Sequence, residues 1–142
     1  MSRHSSIPVL TIDGPSGTGK GTIGSYLAKI RGWKFLDSGA LYRAFAFFAD
    51  ETGIRPDDAE GIKELGKNNT FVFNVEGSDE VKVFVNSRDV SAIVRSEESG
   101  KLASTYAAIP SVRAVLIDEQ RRQRQGPGLV ADGRDMGTIV FP

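Results

Sequence analysis

The chain has 142 residues, 39% hydrophobic and 25% charged, enough for one domain with a sizeable core and too short for two independent ones. Cysteine is absent, which excludes disulfides, thiol catalysis and cysteine-based zinc sites, while 18 Lys and Arg balance 18 Asp and Glu, so no global positive field recruits nucleic acid. No apolar run approaches the length of a membrane span and the polar start Met1 to Ser6 has no signal core, so the protein is expected in the cytoplasm and away from membranes.

His4, the sole histidine, reads as a solvated terminal residue. Val9 to Ile12 then form a short apolar run that reads as a buried strand, and the glycine-rich stretch after Asp13 cannot continue it. From Gly14 to Lys20 the spacing is G-x-x-x-x-G-K, the strand-loop-helix setting of a phosphate-binding loop. Gly14, Gly17 and Gly19 let backbone N–H groups turn inward on an anion, the helix start adds partial positive charge, and Lys20 is placed to reach the terminal phosphates of a nucleotide. Gly21 stands where the pattern has Ser or Thr. The nearest hydroxyl is Thr22, one place later, which argues against direct Mg²⁺ ligation by that side chain.

Residues 20 to 31 are predicted to form a helix packing on the sheet through Ile23, Leu27 and Ile30, with Gly32 as its stop. Trp33 to Leu36 is a second strand candidate, and a helix with an apolar face of Leu41, Phe45 and Phe48 starts at Asp37-Ser38-Gly39. Asp57-Asp58 cap a short helix carrying Ile62 and Leu65. The period then changes: Phe71, Phe73 and Val75 alternate, Gly77-Ser78-Asp79 supplies a turn, and Val81, Val83 and Val85 alternate again, an antiparallel hairpin with a third short strand expected near Val90. Ser96 to Gln125 is helical again, with Leu102 and Tyr106 on one face and a fresh start at Pro110. Arg121-Arg122-Gln123-Arg124 reads as a solvated helix end, since no aromatic is interleaved to stack on bases. Leu129 to Ala131 is another buried strand, running into Asp132-Gly133-Arg134-Asp135.

Three separated blocks resemble one family, the bacterial cytidylate kinases. They are Ile12 to Thr22, Leu36-Asp37-Ser38-Gly39-Ala40-Leu41-Tyr42-Arg43, and Ala131 to Thr138 continuing through Phe141-Pro142. The first block is shared with many nucleoside monophosphate kinases; the second and third are more specific. The resemblance implies a P-loop NTPase α/β fold, with a parallel sheet core flanked by helices (residues 8–56 and 96–142) and an antiparallel β-rich nucleotide-binding insert over about 66–95. It implies transfer of a phosphoryl group from ATP, with Mg²⁺, to CMP or dCMP by a monomer that binds no nucleic acid.

Carried over residue by residue, the resemblance gives ATP the loop Gly14, Pro15, Ser16, Gly17, Thr18, Gly19, Lys20, Gly21 and Thr22. Arg43 and Arg134 look like the arginines on the CMP phosphate, with Ser38 and Tyr42 beside them; Ser104, Arg113 and Asp135 look like the cytosine-reading groups. Lys20, Arg43 and Arg134 would carry catalysis by neutralising charge, and Asp13, Asp37 or Asp132 would organise the waters of Mg²⁺. No side chain is assigned as a direct metal ligand. Read without the family, Arg43 is an exposed ion pair, Arg113 a solvated arginine, Ser104 a helix-surface residue, and Asp132 and Asp135 caps of the following turn.

The family's chain continues past the Phe-Pro at which this sequence stops, adding parallel strands and an arginine-bearing lid. A fragment is therefore expected in preference to a naturally shortened, inactive protein. A kinase for another small acceptor and a nucleotide-binding module without turnover are the competing expectations.

Overall fold

A computed structural model describes residues 7–14, 23–75 and 80–142. Pro15 through Thr22, including Lys20, lie outside the described residues, as do His4 and the Gly77-Ser78-Asp79 turn.

Three strands form a parallel sheet in the order β1 (Val9–Asp13), β6 (Leu129–Gly133), β2 (Lys34–Asp37). The middle strand arrives last in sequence and is the most apolar: Leu129, Val130 and Ala131 are fully buried, the continuous hydrophobic run expected of a strand covered on both faces. Its register places Asp13 beside Gly133, and Asp37 beside Asp132. All three carboxyl ends open on one side.

Helix α1 (Ile23–Arg31) packs on the sheet, but not through the stripe that periodicity suggests. Its buried residues are Gly24, Ser25 and Ala28, whereas Ile23 is 76% and Ile30 62% exposed. Close approach explains the reversal: a Cβ on Gly24 would stand 3.1–3.2 Å from Ile12 Cδ1, Asp132 Oδ2 and Phe35 Cε1, so the small residues face the sheet and the isoleucines face outward.

Helix α2 (Ser38–Glu51) starts directly from β2, capped by Asp37, whose side chain accepts from the Ala40 N–H at 3.0 Å. Leu41, Ala44, Phe45 and Ala49 are buried along its length, while Phe48 is half-buried. Gly133, alternating with Asp132 along β6, meets this helix: a Cβ there would lie 2.6 Å from Ser38 Cβ and 2.9 Å from Met136 Sδ. Helix α3 (Ala59–Asn68) is capped by Asp58 and buries Ile62 and Leu65.

The insert is an antiparallel sheet of β3 (Phe71–Asn74), β4 (Lys82–Val85) and β5 (Arg88–Asp89). Asn86 and Ser87 both take positive φ, the tight two-residue turn that matches strand twist. The third strand ends before Val90, which instead precedes a single helical turn, α4 (Ser91–Val94). Buried Phe71, Phe73, Val83 and Val85 join the main core, with the Phe71 ring 6.1 Å from that of Phe45.

Helices α5 (Glu97–Ala107) and α6 (Pro110–Arg122) follow, the first capped by the Ser96 hydroxyl and the second opened by Pro110 at its first position. The polar run at the end of α6 is not simply solvated. Arg121 donates to the Val140 and Ile139 carbonyls at 3.0 and 3.1 Å, Gln123 to the Phe71 carbonyl at 2.9 Å, and Arg124 to the Ile7 carbonyl at 2.8 Å. Arg122 adds a bond to Glu119 at 2.6 Å. These side chains satisfy carbonyls of chain segments that converge on the helix end. After β6 the chain makes one π-helical turn, Met136–Val140.

Candidate active site

Parallel strands carry their carboxyl ends to one edge, where loops leave room for a ligand. Here that edge holds Asp13 at the end of β1 and Gly14 after it, Asp37 at the end of β2 and Ser38 opening α2, and Asp132 and Gly133 at the end of β6 with Arg134 and Asp135 following. Gly14 N–H donates to the Gly133 carbonyl at 2.9 Å, tying the start of the glycine-rich loop to the middle strand. Asp13 is spoken for: Oδ1 accepts from Met136 N–H at 2.6 Å and Oδ2 from Gly137 N–H at 3.3 Å. It is the Asp13 side chain, rather than that of Asp135, that accepts from the first amides of the turn after β6. Asp135 holds a left-handed backbone, φ 57°, with no capping bond from its side chain.

Asp37 and Asp132 sit side by side in register. Burial pushes the Asp37 carboxyl from an ordinary 3.8 up to about 6, and the neighbouring Asp132 charge adds to the rise, against the lowering bond from Ala40 N–H and the charge of Arg43. The Asp132 carboxylate points toward Gly24, at the first turn of α1. Among the described residues no group of three His, Cys, Asp or Glu side chains is placed to hold a metal by itself.

Beside these carboxylates lies a cavity of about 280 Å³. Ser38, Tyr42, Arg113, Arg134 and Asp135 all line it, drawn from α2, α6 and the loop after β6. Burial raises the Tyr42 hydroxyl above its usual range, opposed by the facing Arg113 guanidinium. Ile117 and Gln120, four and seven residues after Arg113, continue the wall along one face of α6. Gln120 is 1% exposed, and its Oε1 is a buried acceptor without a hydrogen-bond partner.

Two of the expected residues are placed elsewhere. Arg43 turns its guanidinium toward the junction of α4 and α5, where Nη1 donates to the Val94 carbonyl at 3.0 Å and the Ser96 carbonyl at 3.5 Å. Ser104 is exposed, and its hydroxyl donates back to the Gly100 carbonyl one turn earlier, at 3.1 Å. Asp132 borders the site without lining the cavity.

The sequence profile of the cytidylate kinases matches residues 10–142. The chain belongs to the cytidylate kinase family. Among the curated members of that family it is 49% identical over 136 residues to the cytidylate kinase of Methylococcus capsulatus, covering 96% of this chain and 60% of that protein. The Aeromonas salmonicida cytidylate kinase is 50% identical over 135 residues, 95% of this chain and 58% of the relative, and the Pseudomonas aeruginosa one 46% over 140 residues, 98% and 61%. The chain thus spans about 60% of the length of these cytidylate kinases. Among the described residues no helix is long and apolar enough to cross a membrane.

Proposed function

We propose that this protein transfers the γ-phosphoryl group of ATP to CMP or dCMP, giving ADP and CDP or dCDP. The observation that carries the reading is the cavity at the carboxyl ends of β2 and β6, which gathers two guanidinium groups, two hydroxyls and a carboxylate and is bordered by Gly133, whose carbonyl accepts from Gly14 N–H.

An oxygen of the acceptor phosphate attacks the γ-phosphorus while the bond to the bridging oxygen of ADP breaks, so no side chain need act as nucleophile. What the protein supplies is placement and positive charge. In this reading Arg134 grips the acceptor phosphate with its planar fork, and Ser38 and Tyr42 offer hydroxyls beside it. Lys20 and the amides from Gly14 to Thr22 hold ATP. Arg43 reaches the acceptor phosphate only by leaving the Val94 and Ser96 carbonyls.

Mg²⁺, when bound with ATP, neutralises charge on the β- and γ-phosphates. Asp37 and Asp132 fit the task of organising it because they stand side by side in register at the carboxyl end of the sheet, where a cation would offset the Asp132 charge that, after burial, helps raise the Asp37 carboxyl. Asp13, already accepting two amide bonds, is less free to do so.

Cytosine carries an amine at N4 and an acceptor at N3, and uracil reverses both. Asp135 accepting from N4, with Arg113 donating to the ring, therefore selects against UMP. Ser104 would contribute only after its hydroxyl releases Gly100. We take the protein to act as a monomer in the cytoplasm, without nucleic acid. A coupled ADP-release assay tests the assignment: CMP and dCMP are expected to be phosphorylated in preference to UMP and AMP, and equal turnover of AMP would reject it.

A further inference from the structure

We propose that Asp13 is a positioning residue for the acceptor side of the site, holding Arg134 and Asp135 in place against the strand that leads into the glycine-rich loop. The inference rests on the reaction proposed above and gives Asp13 a part in binding the acceptor rather than the metal.

Two neighbours at the end of β1 bracket a very short segment. Gly14 N–H donates to the Gly133 carbonyl at 2.9 Å, and the Asp13 carboxylate accepts from Met136 N–H at 2.6 Å and from Gly137 N–H at 3.3 Å. Only Arg134 and Asp135 lie between the tied positions, and both line the cavity. Gly137 permits the approach, because a Cβ there would stand 3.0 Å from Thr11 Oγ1 and 3.5 Å from Asp13 Oδ2. Asp135 stands at φ 57°, a left-handed conformation that a residue with a Cβ keeps only where its surroundings hold it. Beyond the bracket the turn is closed on itself and on α6. The Asp135 carbonyl accepts from Ile139 and Val140 N–H at 2.9 and 3.3 Å, and Arg121 donates to the carbonyls of the same two residues. Asp13 thus ties the turn to β1 as Arg121 ties it to α6. A carboxylate suits the task, since its two oxygens accept from two successive amides at once and its charge strengthens both bonds. Releasing it lets Asp135 leave the left-handed region and carry the Arg134 fork away from the cavity.

The test is isothermal titration of CMP and of AMP, in EDTA and without ATP, into wild type, D13A and D13N, with hydrogen exchange read at single amides of each free protein. Leaving out metal and ATP separates acceptor positioning from any service to Mg²⁺. Alanine removes both acceptors and asparagine keeps the one on Met136; Asp13 is exposed, so neither change opens a hole in the core. D13A is expected to weaken CMP binding by about tenfold or more and to speed exchange at Met136 and Gly137. D13N is expected to keep CMP affinity within about threefold of wild type and Met136 protected, while Gly137 exchanges faster. Unchanged CMP affinity in folded D13A, an equal loss in D13N and D13A, or Met136 exchanging in wild type as fast as an unbonded amide would each overturn the assignment. If D13A does not fold, wild type and D13N decide: Met136 must stay protected in both, and a loss of about tenfold in D13N with that protection intact overturns it. Wild type that binds AMP as tightly as CMP would reject the cytosine reading alone, and Asp13 keeps its role only if D13A weakens both nucleotides alike. Wild type that binds neither would overturn both.

Discussion

Replacing Asp37 by asparagine should make the free protein more stable at neutral pH. The Asp37 carboxyl is 5% exposed, lies in register beside Asp132, and has its pKa raised from 3.8 to about 6. At 1.36 kcal/mol for each tenfold change in proton affinity, the charged carboxylate costs the native state about 3 kcal/mol. Asparagine removes that charge and still caps α2, since its side-chain oxygen can accept from Ala40 N–H as aspartate does at 3.0 Å. The expected gain at pH 8 is about 2–3 kcal/mol, or roughly 5–10 °C in melting temperature for a domain of this size.

The pH dependence separates this cause from any other. Well below pH 3.8, Asp37 is protonated in both folded and unfolded chains, so the charge costs nothing. As pH rises from about 4 to about 6, the native state keeps a proton that the unfolded chain has released, and wild-type stability falls; above that range the difference is constant. Thermal melts of wild type and D37N in EDTA from pH 4 to pH 8 should therefore diverge across this window. A gain of equal size at pH 4 and pH 8, or a loss at pH 8, would refute the reasoning.

Other outcomes follow from the same geometry. Gly133→Ala should destabilise by about 1–3 kcal/mol, read as a lower urea midpoint, because the new methyl meets Ser38 Cβ at 2.6 Å. Arg134→Ala should lower CMP-dependent ADP release by about 10², the usual loss when one preorganised donor is removed, in a steady-state assay. Arg121→Ala frees the Val140 and Ile139 carbonyls, and limited proteolysis should then cut near the π-helical turn sooner than in wild type. Phe71→Ala should cost about 3–5 kcal/mol in chemical unfolding, since the ring is 2% exposed and packs on Phe45.

Much of the architecture was readable wherever one signal dominated. The apolar run at Leu129 to Ala131 marks a doubly covered strand, and alternation at Phe71, Phe73, Val83 and Val85 marks the insert. Asp58 and Ser96 announce helix starts by chemistry that acts within three residues. What failed to show was whatever depended on distant packing. The Ile23 and Ile30 stripe of α1 looks like a core face, and only the approach of Gly24 to Ile12 and Phe35 turns it outward. The π-helical turn after β6 is set by Asp13, more than a hundred residues earlier, and no local pattern around Met136 contains it.

Ser38, Tyr42, Arg113, Arg134 and Asp135 are named in the sequence only through the family resemblance, and the structure brings them to one cavity. Arg43 and Ser104 were named on the same grounds, yet side-chain direction depends on neighbouring carbonyls that a linear pattern does not reveal. Gln120 stayed hidden because a glutamine among arginines reads as surface until its burial is known.

The last turn of α6 has a bearing on the order of folding. Arg121 in that turn and Gln123 and Arg124 just past it bind carbonyls at Ile7, Phe71, Ile139 and Val140, so the partners are spread over nearly the whole chain and the Ile7 bond spans 117 positions. Such distant closures come late, after local helices and hairpins are in place. The end of this helix works as a clasp that shuts only when the strand from the beginning of the chain, the edge of the insert and the final turn have all arrived.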